Sequence, residues 1–356
     1  MKNILVVDDS ALMRRVLCDI IDSDERFHVQ DRATNGLEAL ELLGKNTYDA
    51  VILDVNMPRM NGLELLKELQ KRKISARVMM VSTDTSEGAK TTMDSLELGA
   101  LDFVQKPGNA MDCRTGEFKE KLLRTLAVVV DSRVQTFGKA HTVETAATSR
   151  KVVELVNRST STVPGNKIVA LASSTGGPKA LQSVIPKLPK NLKAPVVIVQ
   201  HMPVGFTASL AERLDMLSEL KVKEAAEGDV LEAGVVYIAM GGKHLNVVQS
   251  AGKYSIHYSD EPTREGVKPC ANYMYESLRD SRFDQIVCVV MTGMGADGTK
   301  GIINLKEKKK LHVIAQEAST CAVYGMPRSI VNSGLADQVV PLEQIAQEII
   351  MNVGVK

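Results

Sequence analysis

The sequence predicts two α/β domains in tandem: an N-terminal, doubly wound, five-stranded parallel sheet, and a C-terminal, doubly wound, mostly parallel domain with an antiparallel portion. Three observations predict this. Short β-branched runs alternate with amphipathic stretches from residue 2 to about 130, and the alternation resumes at residue 168. The stretch between them is rich in Ser, Thr and Ala and poor in large apolar residues, the composition of a linker. Aromatic residues are only 4% of the chain and Trp is absent, so the cores must be built from Val, Ile, Leu, Ala and Met, which suits parallel sheets covered by helices. At 356 residues the chain also exceeds what one core ordinarily serves.

In the first domain, strands are expected over residues 4–7, around Val29, and over 50–53, 78–81 and 101–104. Helices are expected between and after them, over 12–21, 37–43, 63–69, 91–98 and 118–130. The domain is assigned to residues 1–123 and the linker to 124–163, with a short amphipathic piece at 152–156. The second domain, 164–356, opens with a strand over 167–172 and a helix over 179–188. A strand over 195–200 and a helix over 208–217 follow. Between residues 222 and 258 the runs VVYIA, HLNVV and YSIHY alternate like antiparallel strands. Parallel character returns with a strand over 285–291, a helix from Thr299, a strand over 311–315 and a terminal helix over 342–353.

Lys plus Arg (44) nearly balances Asp plus Glu (43), which argues against a protein that holds nucleic acid by bulk charge. The five cysteines are scattered with no CxxC pair, which suits neither a disulfide framework nor a zinc site and points to a reducing compartment. The opening MKNILVVDDS reaches acidic residues after a short apolar run, unlike a secretory signal, and no segment has the ~18 apolar residues of a membrane span. A cytoplasmic protein without membrane insertion is expected.

Ligands of a parallel sheet gather at the carboxyl ends of its strands. In the first domain those ends carry Asp8 and Asp9, Asp54, Ser82 and Lys106. Three carboxylates at one rim repel each other unless a cation lies among them, and oxygen ligands suit Mg²⁺, with the Asn56 carbonyl as a further ligand. A carboxylate beside such a metal can take a phosphoryl group, with Lys106 pairing with its oxygens and Ser82 hydrogen-bonding one of them. Pro107, after Lys106, is a candidate for a cis peptide. A single Asp at a strand end is more often a helix cap, but DD, LDVNMP, VS and QKP each fall on the fitting strand. These motifs resemble the response-regulator receiver family over residues 1 to about 123. The resemblance implies a flavodoxin-like fold, Asp54 as phosphoacceptor and a histidine kinase as donor.

In the second domain Ser174 sits on a sharp strand-to-helix turn, LASSTGGPKAL, that lifts a hydroxyl above the sheet. His201 ends the next strand, in VVIVQHMP, and Asp297 follows a third, in VCVVMTGMGADG. Each alone has a plainer reading, as a cap or an incidental residue. Together they supply a nucleophile, a base and a carboxylate to hold the imidazole tautomer. The order Ser, His, Asp is not that of the α/β-hydrolases. No helix-turn-helix signature or basic stripe marks a DNA-binding output, and the TGG loop matches no nucleotide-binding glycine pattern.

STGGP, QHMPVGFT, MGGKHL, MTGMGADG and GMPRSI together resemble the catalytic domain of the chemotaxis protein-glutamate methylesterase (CheB) family. The resemblance implies Ser174, His201 and Asp297 as triad, with Thr175 and Met294 lining the oxyanion and substrate pocket. It also implies hydrolysis of glutamyl methyl esters on chemoreceptors in chemotactic adaptation, glutamine deamidation on the same substrates, and peripheral association with receptor arrays. The ester chemistry needs no cofactor. The chain departs from the family pattern at Ala172, Val204 and Asn272.

Overall fold

Alternating apolar runs and capped helices build the first of two units into which the chain divides, Met1–His141 and Thr142–Lys356. The structure, a computed structural model, describes residues 1–83, 86–107, 116–132, 166–250 and 252–355. The expected linker beyond residue 132, with its amphipathic piece, lies outside the described residues.

Strands β1 (Lys2–Val7), β2 (Phe27–Ala33), β3 (Ala50–Asp54), β4 (Val78–Thr83) and β5 (Asp102–Lys106) form one parallel sheet in the order β2-β1-β3-β4-β5. Every residue of β3 is buried, as expected of a central strand covered on both faces. Helices α1 (Ala11–Asp22), α2 (Gly36–Lys45), α3 (Gly62–Arg72), α4 (Ser86–Glu97) and α5 (Gly116–Asp131) alternate with the strands. The first three begin at Ser10, Asn35 and Asn61, whose side chains accept backbone N–H groups of the first turn. Asn61 and Glu64 form a full capping box. The strand order reverses between β1 and β3, so the crevice for a ligand opens there.

The second unit carries seven parallel strands in the order β14-β13-β12-β6-β7-β9-β8. They are β6 (Lys167–Ser173), β7 (Val196–Gln200), β8 (Lys221–Glu224), β9 (Val235–Ile238), β12 (Gln285–Val290), β13 (Leu311–Gln316) and β14 (Gln338–Val340). Helices α6 (Gly177–Val184), α7 (Phe206–Leu217), α8 (Ala271–Ser277), α9 (Thr299–Lys306), α10 (Met326–Asn332) and α11 (Leu342–Val353) connect or cover them. Strands β10 (His244–Ser250) and β11 (Lys253–Ser259) make a separate antiparallel pair.

This is the predicted fold with one correction. VVYIA does not join the antiparallel portion. Its strand β9 is parallel to β7 and β8 in the main sheet, because a ten-residue excursion from β8 returns the chain in the same direction. Only HLNVV and YSIHY pair antiparallel. A smaller correction concerns the cis peptide, which among the described residues is Lys268–Pro269 and not Lys106–Pro107.

Residues of β6, β7 and β12 make the centre of the second core, with Ala170, Ala172, Val197, Val199, Cys288 and Val290 packed against Tyr275 and Met326. Tyr275 is fully buried, and its hydroxyl donates to the carbonyls of Ala170 and Val289 at 3.3 and 3.1 Å. That bond pins α8 against the strands whose ends carry the site.

Candidate active site and phosphoacceptor pocket

Strand β6 is flanked by β7 on one side and β12 on the other, and the chain builds outward from this centre in both directions. The three residues singled out in the second domain leave the carboxyl ends of these adjacent strands. Register pairs Ser173 with Gln200, and the His201 N–H donates to the Ser173 carbonyl at 3.1 Å. Ser174 and His201 are the residues that directly follow this last pair, so both leave the same rim of the sheet. The Ser174 N–H is held from the other side by the Thr292 carbonyl at 3.0 Å.

The turn after Ser174 depends on glycine. Gly176 has φ +75°, and a Cβ there would lie 2.6 Å from that of Ala322. Gly293 lets the exit of β12 pass the Ser174 turn, since a Cβ on it would come within 2.7 Å of the Ser174 Cβ. Thr175 is buried, and its carbonyl accepts from the Thr292 hydroxyl at 2.9 Å. Met294 is 39% exposed on the same rim loop, and Val204 is exposed on the loop after β7.

Asp297 is almost wholly buried and collects five donors. Its Oδ2 accepts from His201 Nε2 at 2.7 Å and from the Ala271 N–H at 2.6 Å. Its Oδ1 accepts from the Cys270 thiol and the Asn272 N–H, both at 3.0 Å, and from the Gly298 N–H at 2.8 Å. Burial works against the charge, but the His201 hydrogen bond and charge, with the Cys270 and Ala271 donors, hold the carboxyl below its ordinary value. Burial, with the neighbouring Asp297 charge, pushes the Cys270 thiol up, so it stays protonated as a donor. A carboxylate only accepts, so Nε2 of His201 carries a proton, and in the neutral form of the ring Nδ1 keeps the lone pair. The Ser174 hydroxyl makes no hydrogen bond to the ring among the described residues. Nucleophile–base contacts often tighten only when substrate binds.

Sequence reasoning missed a layer behind these groups. His244 is buried, with Nδ1 accepting from the Cys270 N–H at 3.1 Å, and burial lowers its pKa so that it stays neutral. Asn272 accepts from the N–H groups of Gly298 and Gly301 and donates to Glu265, so this departure from the family pattern is spent on the loop beneath Asp297. Gln200 is 1% exposed and bonds to three backbone or side-chain groups at once. Adjacency to His201 in QHMP, and the position of His244 in MGGKHL, were the available signals.

In the first unit, Asp8, Asp9 and Asp54 bring carboxylate oxygens within 4.8 Å of one another. Buried Lys106 bridges two of them, donating to Asp8 Oδ2 at 2.8 Å and Asp54 Oδ1 at 2.7 Å. The Ser10 N–H holds Asp8 Oδ1 at 2.9 Å. Burial pushes Asp54 up to about 6, against the pull of Lys106 and with the Asp8 charge adding to the rise. Three hard oxygen donors with a single ammonium among them fit a small divalent cation such as Mg²⁺. Asn56 lies exposed two residues past Asp54. Ser82 is buried one position beyond the pairing of Asp54 with Val81, and its hydroxyl donates to the Gly88 carbonyl at 3.5 Å.

Two family models match this chain: CheB methylesterase over residues 169–349 and response regulator receiver domain over 4–115. The chain belongs to the CheB methylesterase family. It is similar over nearly its whole length to proteins named protein-glutamate methylesterase/protein-glutamine glutaminase. That of Pyrococcus abyssi is 41% identical over 349 residues, which are 98% of this chain and 92% of that protein. That of Bacillus subtilis is 39% identical over 349 residues, 98% of each. Among solved structures, the CheB methylesterase catalytic domain of Thermotoga maritima is 44% identical, with a TM-score of 0.51 covering 52% of this chain and 97% of that one. A receiver implies a phosphodonor kinase, and a methylesterase domain of this family implies a protein substrate. Among the described residues no helix is long and apolar enough to cross a membrane.

Proposed function

We propose that this chain is a phosphorylation-regulated protein-glutamate methylesterase and protein-glutamine glutaminase of chemotactic adaptation. It acts in the cytoplasm on methyl-accepting chemoreceptors and associates peripherally with their arrays. Its receiver occupies residues 1–123, a linker 124–163 and the catalytic domain 164–356. The observation that carries this reading is the convergence of Ser174, His201 and Asp297 at the ends of three adjacent strands, with the imidazole already bonded to Asp297 at 2.7 Å.

Nδ1 of His201 takes the proton of Ser174 as its Oγ attacks the ester carbonyl, and Asp297 stabilises the imidazolium that forms. The Thr175 N–H, one residue after the nucleophile, is the oxyanion donor, and Met294 borders the substrate pocket. Collapse of the adduct expels methanol, with the imidazolium returning its proton to the leaving oxygen. Water, deprotonated by the same nitrogen, then hydrolyses the acyl-serine to a free glutamate. A glutamine follows the same course with ammonia leaving. In the receiver, a histidine kinase supplies the phosphoryl group to Asp54. Asp8, Asp9, Asp54 and the Asn56 carbonyl would hold Mg²⁺, which supplies neutralisation of the phosphoryl charge when bound. Lys106 and Ser82 then bond the acyl-phosphate oxygens.

The test is a peptide bearing a glutamyl γ-methyl ester, with methanol release as readout, beside labelling by a phosphonofluoridate. Wild type is expected to hydrolyse the ester and to be labelled at Ser174, and Ser174→Ala to do neither while melting like wild type. Near-normal turnover by Ser174→Ala would refute the assignment.

A further inference from the structure

We infer that Gln200 is a positioning residue that sets the oxyanion donor and the base against each other; this rests on the functional reading above. The Gln200 amide is buried where β6 and β7 end, between the nucleophile turn and the base loop. Its Nε2 donates to the Ser174 carbonyl at 3.0 Å and to the His201 carbonyl at 3.2 Å, and its Oε1 accepts from the Ser173 hydroxyl at 2.7 Å. The orientation of the amide is fixed by chemistry. Two carbonyls can only accept, so the nitrogen, with its two hydrogens, must face them. All three polar positions are thereby used on a side chain that is 1% exposed.

The consequence lies in the peptide units these carbonyls belong to. The Ser174 C=O and the Thr175 N–H are parts of one planar trans unit and point in opposite directions. Holding the carbonyl back toward Gln200 and the Gly177 N–H, which donates to it at 2.7 Å, turns the Thr175 N–H forward. The same amide group ties the peptide that leaves His201, so the donor and the imidazole move as one piece. A neutral hydrogen-bonded side chain behind the turn thus governs where charge can be stabilised in front of it.

The experiment compares wild type with Gln200→Glu, Gln200→Met and Ser173→Ala, using the glutamyl methyl ester peptide, phosphonofluoridate labelling of Ser174 and thermal melts. Glutamate keeps the shape but donates to neither carbonyl when ionised and to one at most when protonated, so it cannot hold both; methionine removes both donor and acceptor. Both are expected to lower kcat by about 10- to 100-fold, below the loss from deleting an oxyanion donor outright, with KM nearly unchanged and labelling slowed in proportion. Ser173→Ala, which frees only Oε1, is expected to change kcat in the same sense and by less. Should Gln200→Glu fail to fold, the other two variants carry the comparison. Wild-type kcat in the folded Gln200 variants, or losses that follow the folded fraction alone, would overturn the inference while leaving the methylesterase reading intact. An inactive, unlabelled wild type would instead sink that reading and this inference with it.

Discussion

Replacing Asp297 with Asn tests whether the carboxylate fixes the imidazole tautomer. The structure gives the direction of the change. The Asn amide nitrogen must take the place of one carboxylate oxygen. On the Oδ1 side it would meet three donors, from Cys270, Asn272 and Gly298; on the Oδ2 side it meets two, from His201 and Ala271. It will therefore face His201, whose ring answers by presenting an unprotonated Nε2 and placing its proton on Nδ1. That proton occupies the lone pair needed to receive the Ser174 hydrogen. In a triad of this type the wrong tautomer lowers kcat by about 10⁴-fold, equivalent to about 5.5 kcal/mol at 1.36 kcal/mol per tenfold. The opposed Ala271 N–H adds an unsatisfied donor, worth about 1–3 kcal/mol of stability. The assay is methanol release at saturating ester, with a thermal melt in parallel. A folded Asp297→Asn variant retaining kcat to within about tenfold of wild type, less than 1.4 kcal/mol of barrier, would refute the tautomer argument.

Two further outcomes are expected. Lys106→Ala leaves Asp8 and Asp54 buried without their shared ammonium, so the receiver should lose about 3–5 kcal/mol in urea unfolding, and added Mg²⁺ should stabilise this variant more than wild type. The acid dependence of stability should also carry the mark of Asp297. Its carboxyl is held below the ordinary value in the folded chain, so its contribution is present above the unfolded value and lost as pH falls through the folded one. Asp297→Asn should remove that part of the acid destabilisation, read as a flatter Tm against pH below about 4.

Much of this molecule was legible because parallel sheets leave a regular trace. Buried strands such as AVILD and VVIVQ read as unbroken apolar runs, and Asp54 and His201 stand at or just past the ends of these runs. Helix α11 was legible residue for residue, since twelve residues give a 3.6-residue period room to show. Short elements were not. Helices α8 and α10 have seven residues each and β14 has three, too few for any period, and they exist because the sheet offers them a surface. The supporting residues were hidden for another reason. Cys270 reaches Asp297 across 27 positions and Gln200 reaches Ser174 across 26, contacts that local pattern does not encode. β9 was misplaced because alternation reports which faces are buried and says nothing of strand direction.

The order of the central strands also decides which way a ring must point. His201 leaves β7, Ser174 leaves the adjacent β6, and Asp297 follows β12 on the far side. An imidazole has one nitrogen close to its point of attachment and one at its tip. The tip nitrogen, Nε2, already holds Asp297 at 2.7 Å, which leaves the close nitrogen, Nδ1, for the other partner in the relay proposed above. Under the proposed function the usual serine-protease assignment of the two nitrogens would be reversed, and a designer grafting this site would have to copy the sheet order along with the three residues.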